Sequence, residues 1–327
     1  MNNLDLVRHL TLRQLQIFEV AARNLSFARA AEQLHLTQPA VSMQIKLLED
    51  AVGTALFERV GKKVQLTEAG DKLLHHASRI LGELKDAAAA FESLTGLQSG
   101  TLHIGLVSTA KYFAPKMLAK FSAQFPHLDV KLEVGNREFL LKLLQDNVID
   151  LAIMGRPAKG LDAVAEPLAQ HPHVIIAKVD HPFRGEKKFD LQELRGETFL
   201  LREPGSGTRV VAEEMFKNHL FKPKKIVTLG SNETIKQAVM AGMGVSLLSL
   251  HTLGLELRSD VIGILDVLGT PVTRTWHVVN MRTKSLSPPV LAYRAFMLDN
   301  AAEFLQQEFG HYVADKKSLV KKPRKKP

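Results

Sequence analysis

The chain of 327 residues contains no cysteine, and it has one tryptophan and three tyrosines. Without cysteine there are no disulfide bridges and no thiolate metal sites. No apolar run of roughly 18 residues occurs, so no membrane-spanning helix is expected. The N-terminus lacks a basic segment followed by an apolar one, which argues against export and for a cytoplasmic protein. Signatures of catalysis are also missing. There is no His-Glu-x-x-His pattern and no carboxylate cluster, and His75 and His76 point to different faces of a helix. Ser206, within Pro-Gly-Ser-Gly-Thr, lacks the glycine two positions earlier that a nucleophile elbow needs. The sequence therefore points away from an enzyme and from any bound cofactor or metal.

What is present is an ordinary globular composition, 45% hydrophobic and 24% charged, long enough for two or three domains. The formal net charge of +9 is unevenly placed. Residues 1–95 carry 11 Lys/Arg against 11 Asp/Glu, and residues 96–315 carry 25 against 23. Residues 316–327 carry 7 basic groups and no acidic ones. The excess belongs to a terminal tail, expected over 311–327 as a solvated, disordered end, with an auxiliary phosphate-contacting arm as the sharper reading.

The most informative stretch is 26–49. Thr11-Leu12-Arg13-Gln14 forms a capping box ahead of a first helix in which Leu12, Leu15, Phe18 and Ala22 recur at helical spacing. Ser26 caps a second helix whose Ala30, Ala31 and Leu34 allow close packing, and His35-Leu36 make a turn. Thr37 caps a third helix, with Pro39 in the first turn where its missing N–H costs nothing. Ala40, Val41, Ile45 and Leu48 share its inner face. Gln38, Pro39, Ser42, Met43 and Lys46 share the outer one, with side chains able to read base edges in a major groove. Two short strands around Gly61 follow, with Arg59, Lys62 and Lys63 near the tip of the hairpin. Beside a helix-turn-helix this is a wing aimed at backbone phosphates. Thr67 opens a long helix to about Leu94. Its Leu73, Ala77, Ile80, Leu84, Ala87, Phe91 and Leu94 alternate in steps of four and three, an a/d seam that favours a homodimer. Two recognition helices would then sit about one duplex turn apart, roughly 34 Å, on a partly palindromic site.

Leu97-Gln98-Ser99-Gly100 is expected to act as a hinge. Beyond it strands and helices alternate, which predicts mostly parallel strands in two α/β lobes with a cleft between them. Ligands in such lobes sit where strands end and helices begin. Ser108, Thr109 and Lys111 follow the first strand of this part, and Arg156 follows the third. Ser206, Thr208 and Arg209 open one helix, and Asn232 and Thr234 open another. Hydroxyls, free N–H groups and cations together predict a small anionic ligand, although each segment alone is equally a helix cap. His171-Pro172-His173 reads as the start of a strand. A solute-binding protein whose N-terminal helices serve only in assembly is the second reading, disfavoured by the missing signal peptide.

Several segments carry a family likeness. They are Leu12-Arg13-Gln14-Leu15, Ser26-Phe27, Ala30-Ala31-Glu32-Gln33-Leu34, Thr37-Gln38-Pro39-Ala40-Val41-Ser42, Leu56-Phe57-Glu58-Arg59 and Leu66-Thr67-Glu68-Ala69-Gly70. Through them the ordered chain resembles the LysR-type transcriptional regulators. Val107 to Pro115, Met154 to Pro157 and Glu203 to Arg209 bring it nearest to that family's regulators of carbon-fixation (RuBisCO) operons. The resemblance implies an α/β protein with an N-terminal all-α winged helix-turn-helix over 1–66 and a coiled-coil linker helix over 67–96. The effector-binding domain, 97–310, would consist of two lobes like those of a periplasmic binding protein. It further implies a dimer of dimers on promoter DNA, contact with RNA polymerase, and control by a phosphorylated metabolite or NADPH. Many family members carry arginine where Met43 stands, so a thymine methyl contact replaces the expected guanine contact there.

Overall fold

The computed structural model describes residues 10–61, 63–93, 100–157 and 160–314. Lys62, Leu94, the segment 97–99 and residues 315–327 lie outside these, whereas His311 to Ala314, expected within a disordered tail, are the last turn of the final helix. Helices α1 (Leu12–Asn24), α2 (Phe27–Leu34) and α3 (Gln38–Val52) each start at the expected cap, Thr11, Ser26 and Thr37. At Thr11 both halves of the capping box are made. Leu25 and His35 close the first two helices in left-handed conformation, which turns the chain sharply between them. Leu15, Phe18, Ala30, Val41, Ile45 and Leu48 form the core of this unit. Leu12 does not join it. It stands 47% exposed at the first turn, and Ile17, further along the inner face, is buried instead.

Strands β1 (Phe57–Val60) and β2 (Lys63–Leu66) pair antiparallel, Phe57 against Leu66 and Val60 against Lys63, and Gly61 turns between them at φ +65°. The Glu49 carboxylate at the end of α3 accepts hydrogen bonds from the N–H groups of Leu56 and Phe57 at 2.8 and 3.2 Å, fixing the wing to the recognition helix. Helix α4 (Glu68–Ser93) follows, its first turn closed by the Thr67 hydroxyl. The expected seam of α4 divides in two. Ala77, together with Leu81, is buried in the core of the same chain. Ile80, Leu84 and Phe91 are 44%, 45% and 73% exposed. A helix of 3.6 residues per turn cannot keep a 3.5-residue stripe and a core-facing stripe on one line, so the two diverge.

The effector part is built on strands β3 (Gly100–Val107), β4 (Leu128–Gly135), β5 (Leu151–Gly155), β6 (Ala163–Lys178), β7 (Lys187–Phe189), β8 (Thr198–Arg202), β9 (Lys225–Leu229), β10 (Ser246–Ser249), β11 (Ile262–Val267) and β12 (Val272–Met281). Gly100 is the first residue of β3, paired with Leu128, and not part of a hinge. Eight strands form one curled sheet in the order β4-β3-β5-β12-β6-β11-β7, with β10 also on β6. The expectation of mostly parallel strands is overturned. The pairs β3–β4, β3–β5, β8–β9 and β7–β11 are parallel, while β5–β12, β6–β12, β6–β10 and β6–β11 are antiparallel. The reason is topological. The chain leaves the first lobe along β6 and returns along β12, and these two strands run side by side in opposite directions from Ala163–Met281 to His173–Val272. His171-Pro172-His173 therefore lies inside β6. Its prolines are tolerated because β6 has β12 on one side only until His173, where β10 joins.

Helices α5 (Ala114–Ser122), α6 (Arg137–Gln145) and α9 (Pro288–Ala314) cover the first lobe. Phe113, Phe121, Trp276 and Tyr293 are among its fully buried side chains. In the second lobe α7 (Gly207–Asn218) packs Met215 and Phe216 on Phe199, while α8 (Asn232–Met240) buries Ile235 and Val239 in the core shared with the first lobe.

In the N-terminal unit, Gly70 has no room for a side chain, because an added Cβ would meet the Leu56 carbonyl and crowd Leu66. Gly70→Ala should destabilise the winged unit by about 1–3 kcal/mol, the usual range for overpacking. Thermal unfolding of the variant checks this.

Candidate functional site

The outer face of α3 is set by its cap. The Thr37 hydroxyl takes the Ala40 N–H, which starts the helix one residue before Gln38. Val41, Ile45 and Leu48 then point inward, and Gln38, Pro39, Met43 and Lys46 are left exposed with Ser42 half-buried among them. Met43 is 57% exposed at the centre of this surface. Lys46 is drawn to Asp50 one turn on, at 3.2 Å. Arg59 and Lys63 are exposed on the two wing strands, and Lys62 lies outside the described residues.

The second candidate is a cleft of about 470 Å3 between the lobes. Its floor is the crossing of β6 and β12, with His171 and His173 from one strand and Thr273 to His277 from the other. Its walls are Ser108 and Thr109 after β3, Asn136 and Arg137 after β4, Arg156 after β5, and Ser206 to Thr208 at the start of α7. Among the described residues three guanidinium groups, Arg137, Arg156 and Arg274, meet a single lining carboxylate, Glu214, which is ion-paired with Arg274. Ser206 is the N-cap of α7, yet its hydroxyl makes no capping bond to the helix's own N–H groups. The first-turn donors and the positive end of α7 are thus presented to the cleft, an arrangement suited to an anion.

The buried imidazoles of the floor are neutral. His171 stacks on Trp276 with ring centroids 3.7 Å apart and lies tilted against His173 at 4.2 Å. The Trp276 indole donates to Nδ1 of His251 at 3.0 Å, and Nε2 of His171 meets the Ser249 hydroxyl at 2.9 Å. Burial pushes the pKa of His171 well below its ordinary value, and the neighbouring histidines add to this. Burial likewise lowers His173 to about 4, against the backbone hydrogen bonds of Val272 and His171, and lowers His251 to about 3. An imidazole without charge loses little on leaving water, whereas an imidazolium there would lack a counter-ion.

Of the nine residues expected to contact an effector, Ser108, Thr109, Arg156, Ser206 and Thr208 line this cleft. Lys111, Arg209, Asn232 and Thr234 do not, and each is engaged elsewhere. Lys111 is paired with Glu233 at 2.8 Å. Arg209 reaches back along α7 to Glu213 at 2.7 Å and to the Arg202 carbonyl. Asn232 is fully buried and accepts from Arg202 at 2.7 Å, and Thr234 closes the Ser231 cap of α8. Arg202 explains the difference. Its buried guanidinium binds Glu203 through two nitrogens and spans from Asn232 to the Ser108 hydroxyl at 3.1 Å, filling the place the α8 terminus would have offered a ligand. Asn136 and Arg137 follow the rule used on the sequence, a strand end that opens a helix, and were legible by it. The floor residues were not, because they lie inside strands.

A winged helix-turn-helix on the same chain as a two-lobed domain with a cationic cleft defines a ligand-responsive, DNA-binding transcriptional regulator. Residues 12–71 match the family described as bacterial regulatory helix-turn-helix protein, lysR family, and residues 95–302 match the LysR substrate binding domain. The chain belongs to the LysR family of transcriptional regulators, which are not enzymes. It is 65% identical over 304 residues to the HTH-type transcriptional regulator CfxR of Cupriavidus necator, covering 93% of this chain and 96% of that one. It is 45% identical to the RuBisCO operon transcriptional regulator of Allochromatium vinosum, over 90% of this chain and 97% of that one. Among solved structures, the regulatory domain of Synechocystis PCC6803 CcmR in complex with 2-PG is similar at 36% identity and a TM-score of 0.58, covering 62% of this chain and 97% of that one. Among the described residues no helix is long and apolar enough to cross a membrane.

The neutral histidines give a pH dependence with a definite sign. Their folded pKa values lie below the unfolded value of about 6.5, so below that pH the unfolded chain binds protons that the folded one does not. Stability should be complete above about pH 6.5 and fall toward pH 4, where His173 titrates in the fold. The His173 share is on the order of 3 kcal/mol. Thermal melts between pH 7.5 and 4 should show the loss, and His173→Gln should make it shallower.

Proposed function

We propose that this protein regulates a carbon-fixation (RuBisCO) operon by binding an interrupted palindrome in its promoter and answering to a small anionic metabolite held between the lobes. The observation that carries the effector reading is the convergence of Arg137, Arg156, Arg274 and the open N-terminus of α7 on one cleft. The target is supported by likeness along nearly the whole chain to regulators of that operon, and the ligand class by the 2-PG held in the related CcmR domain. Phosphorylated metabolites, and NADPH through its phosphates, fit the same chemistry. DNA contacts are assigned to Gln38, Pro39, Ser42, Met43 and Lys46 in the major groove, and to Arg59, Lys62 and Lys63 on the phosphates. The exposed Ile80, Leu84 and Phe91 of α4 form the dimer seam. Two dimers joined into a tetramer would bend the promoter within reach of RNA polymerase, in the cytoplasm. The working domains are 1–66, 67–96 and 97–310, with the final helix carrying the last of these on to Ala314 and the tail after it.

The test is a footprint on the protein's own promoter and on genomic fragments, with and without 2-PG. Sequence-specific protection that changes with 2-PG is expected, and binding indifferent to sequence at every salt concentration would refute the reading. Within that experiment Ser42→Ala should relax base preference by about 1–3 kcal/mol. Lys63→Ala should instead weaken all sequences alike and reduce the salt dependence. For the cleft, Arg156→Ala removes a charged donor worth about 1.5–3 kcal/mol, so 2-PG binding by calorimetry should weaken roughly ten- to a hundredfold.

A further inference from the structure

The cleft carries fixed positive charge from Arg137 and Arg156 on its walls and Arg274 on its floor, which also holds two buried imidazoles, His171 and His173. His173 is 1% exposed and sits on β6 opposite Val272. Its Nδ1 lies 3.2 Å from the His171 carbonyl, which only accepts, so Nδ1 carries the hydrogen. In the neutral ring Nε2 is then a lone pair. That lone pair would repel an anionic oxygen brought against it, and a second proton would turn the nitrogen into a charged donor.

The groups around the ring decide whether that proton is present. On its own strand lies neutral His171, held by Ser249. From β12 comes Arg274, with Glu214 of α7 as its partner. Behind are His251 and Trp276, hydrogen-bonded to each other. Arg137 and Arg156 stand on the walls, and His277, with its Nδ1 on the Thr275 carbonyl, lies further along β12. Among the described lining residues the balance is three guanidiniums against one carboxylate, and a further cation is disfavoured by charge and by burial together. A doubly charged ligand reverses the local sign while the backbone hydrogen bonds that favour a protonated ring stay in place.

We propose that an anion entering the cleft is accompanied by one proton taken from solvent onto Nε2 of His173, which makes this imidazole an effector contact that selects dianions over monoanions. This rests on the cleft being the effector site. No other bond changes: the ring gains one proton and one charge, and both leave together when the ligand dissociates. Arginines alone attract any anion. A group that becomes cationic only when enough negative charge arrives adds discrimination by charge number, which suits a phosphate monoester over a simple carboxylate.

The experiment is titration calorimetry of 2-PG into the full-length protein at pH 7 in two buffers of different ionisation enthalpy, which counts protons taken up per ligand bound. Wild type should take up about one proton more than His173→Gln, the ligand's own protonation being common to both. Equal uptake by the two proteins would overturn the proposal while leaving the cleft reading intact. Histidine-selective NMR on wild type gives a second readout that does not depend on the variant folding. One ring should move from neutral to imidazolium on adding 2-PG or inorganic sulfate, whose charge is fixed at this pH, and rings that all stay neutral in a saturated protein would overturn it. Absence of binding by both 2-PG and sulfate is a separate result, which removes the effector reading and this inference together.

Discussion

The antiparallel pairing of β6 with β12 is the constraint on which the effector domain depends. One strand of 16 residues and one of 10 are the covalent and hydrogen-bonded connection between the lobes. The strands continue into both lobes, so one face of their middle is packed in the core the lobes share and the other borders the opening between them. The side chains on that middle become a floor, and the loops at the strand ends become walls. The site is a consequence of two lobes sharing two strands. Helix termini and guanidiniums then give the opening its chemical character.

That character is a division of labour between groups that are always charged and groups that are not. Arginine keeps its proton under any conditions a protein meets and tolerates partial burial through its spread charge and five donors. It therefore serves where solvent or, for Arg274 on β12, Glu214 shares the cost. Histidine can leave water as a neutral ring, and it forms the floor against Trp276. Arg202 shows the third option, a fully buried guanidinium permitted because Glu203, Asn232 and Ser108 together satisfy its donors. It holds Ser108 in place and closes off the terminus of α8.

Much of this was legible in the sequence. The caps Thr11, Ser26, Thr37 and Thr67, and the hairpin around Gly61, are local devices whose signals lie within four residues of their effect. Five of nine effector-site expectations line the cleft because strand ends that open helices are also local features. The failures share a cause. Lys111, Arg209, Asn232 and Thr234 look identical in sequence to the others, and only tertiary partners such as Glu233 and Arg202 remove them from the cleft. The sequence places His171-Pro172-His173 at the start of a strand, whereas they lie within β6. Nothing in the periodicity shows that β6 passes through both lobes. The seam on α4 was read as one stripe, and the packing of Ala77 and Leu81 on the same chain splits it.

Pro172 carries one more implication. It lies one residue before the point at which β10 takes up the second edge of β6, at His173 against Ser249. A slip of β6 by one residue would bring a nitrogen without hydrogen into that ladder and turn His171 and His173 away from the floor. The register between the lobes is therefore locked. Any motion that opens or shuts the cleft must come from twisting and bending of the paired strands, a hinge in place, and not from sliding one lobe along the other.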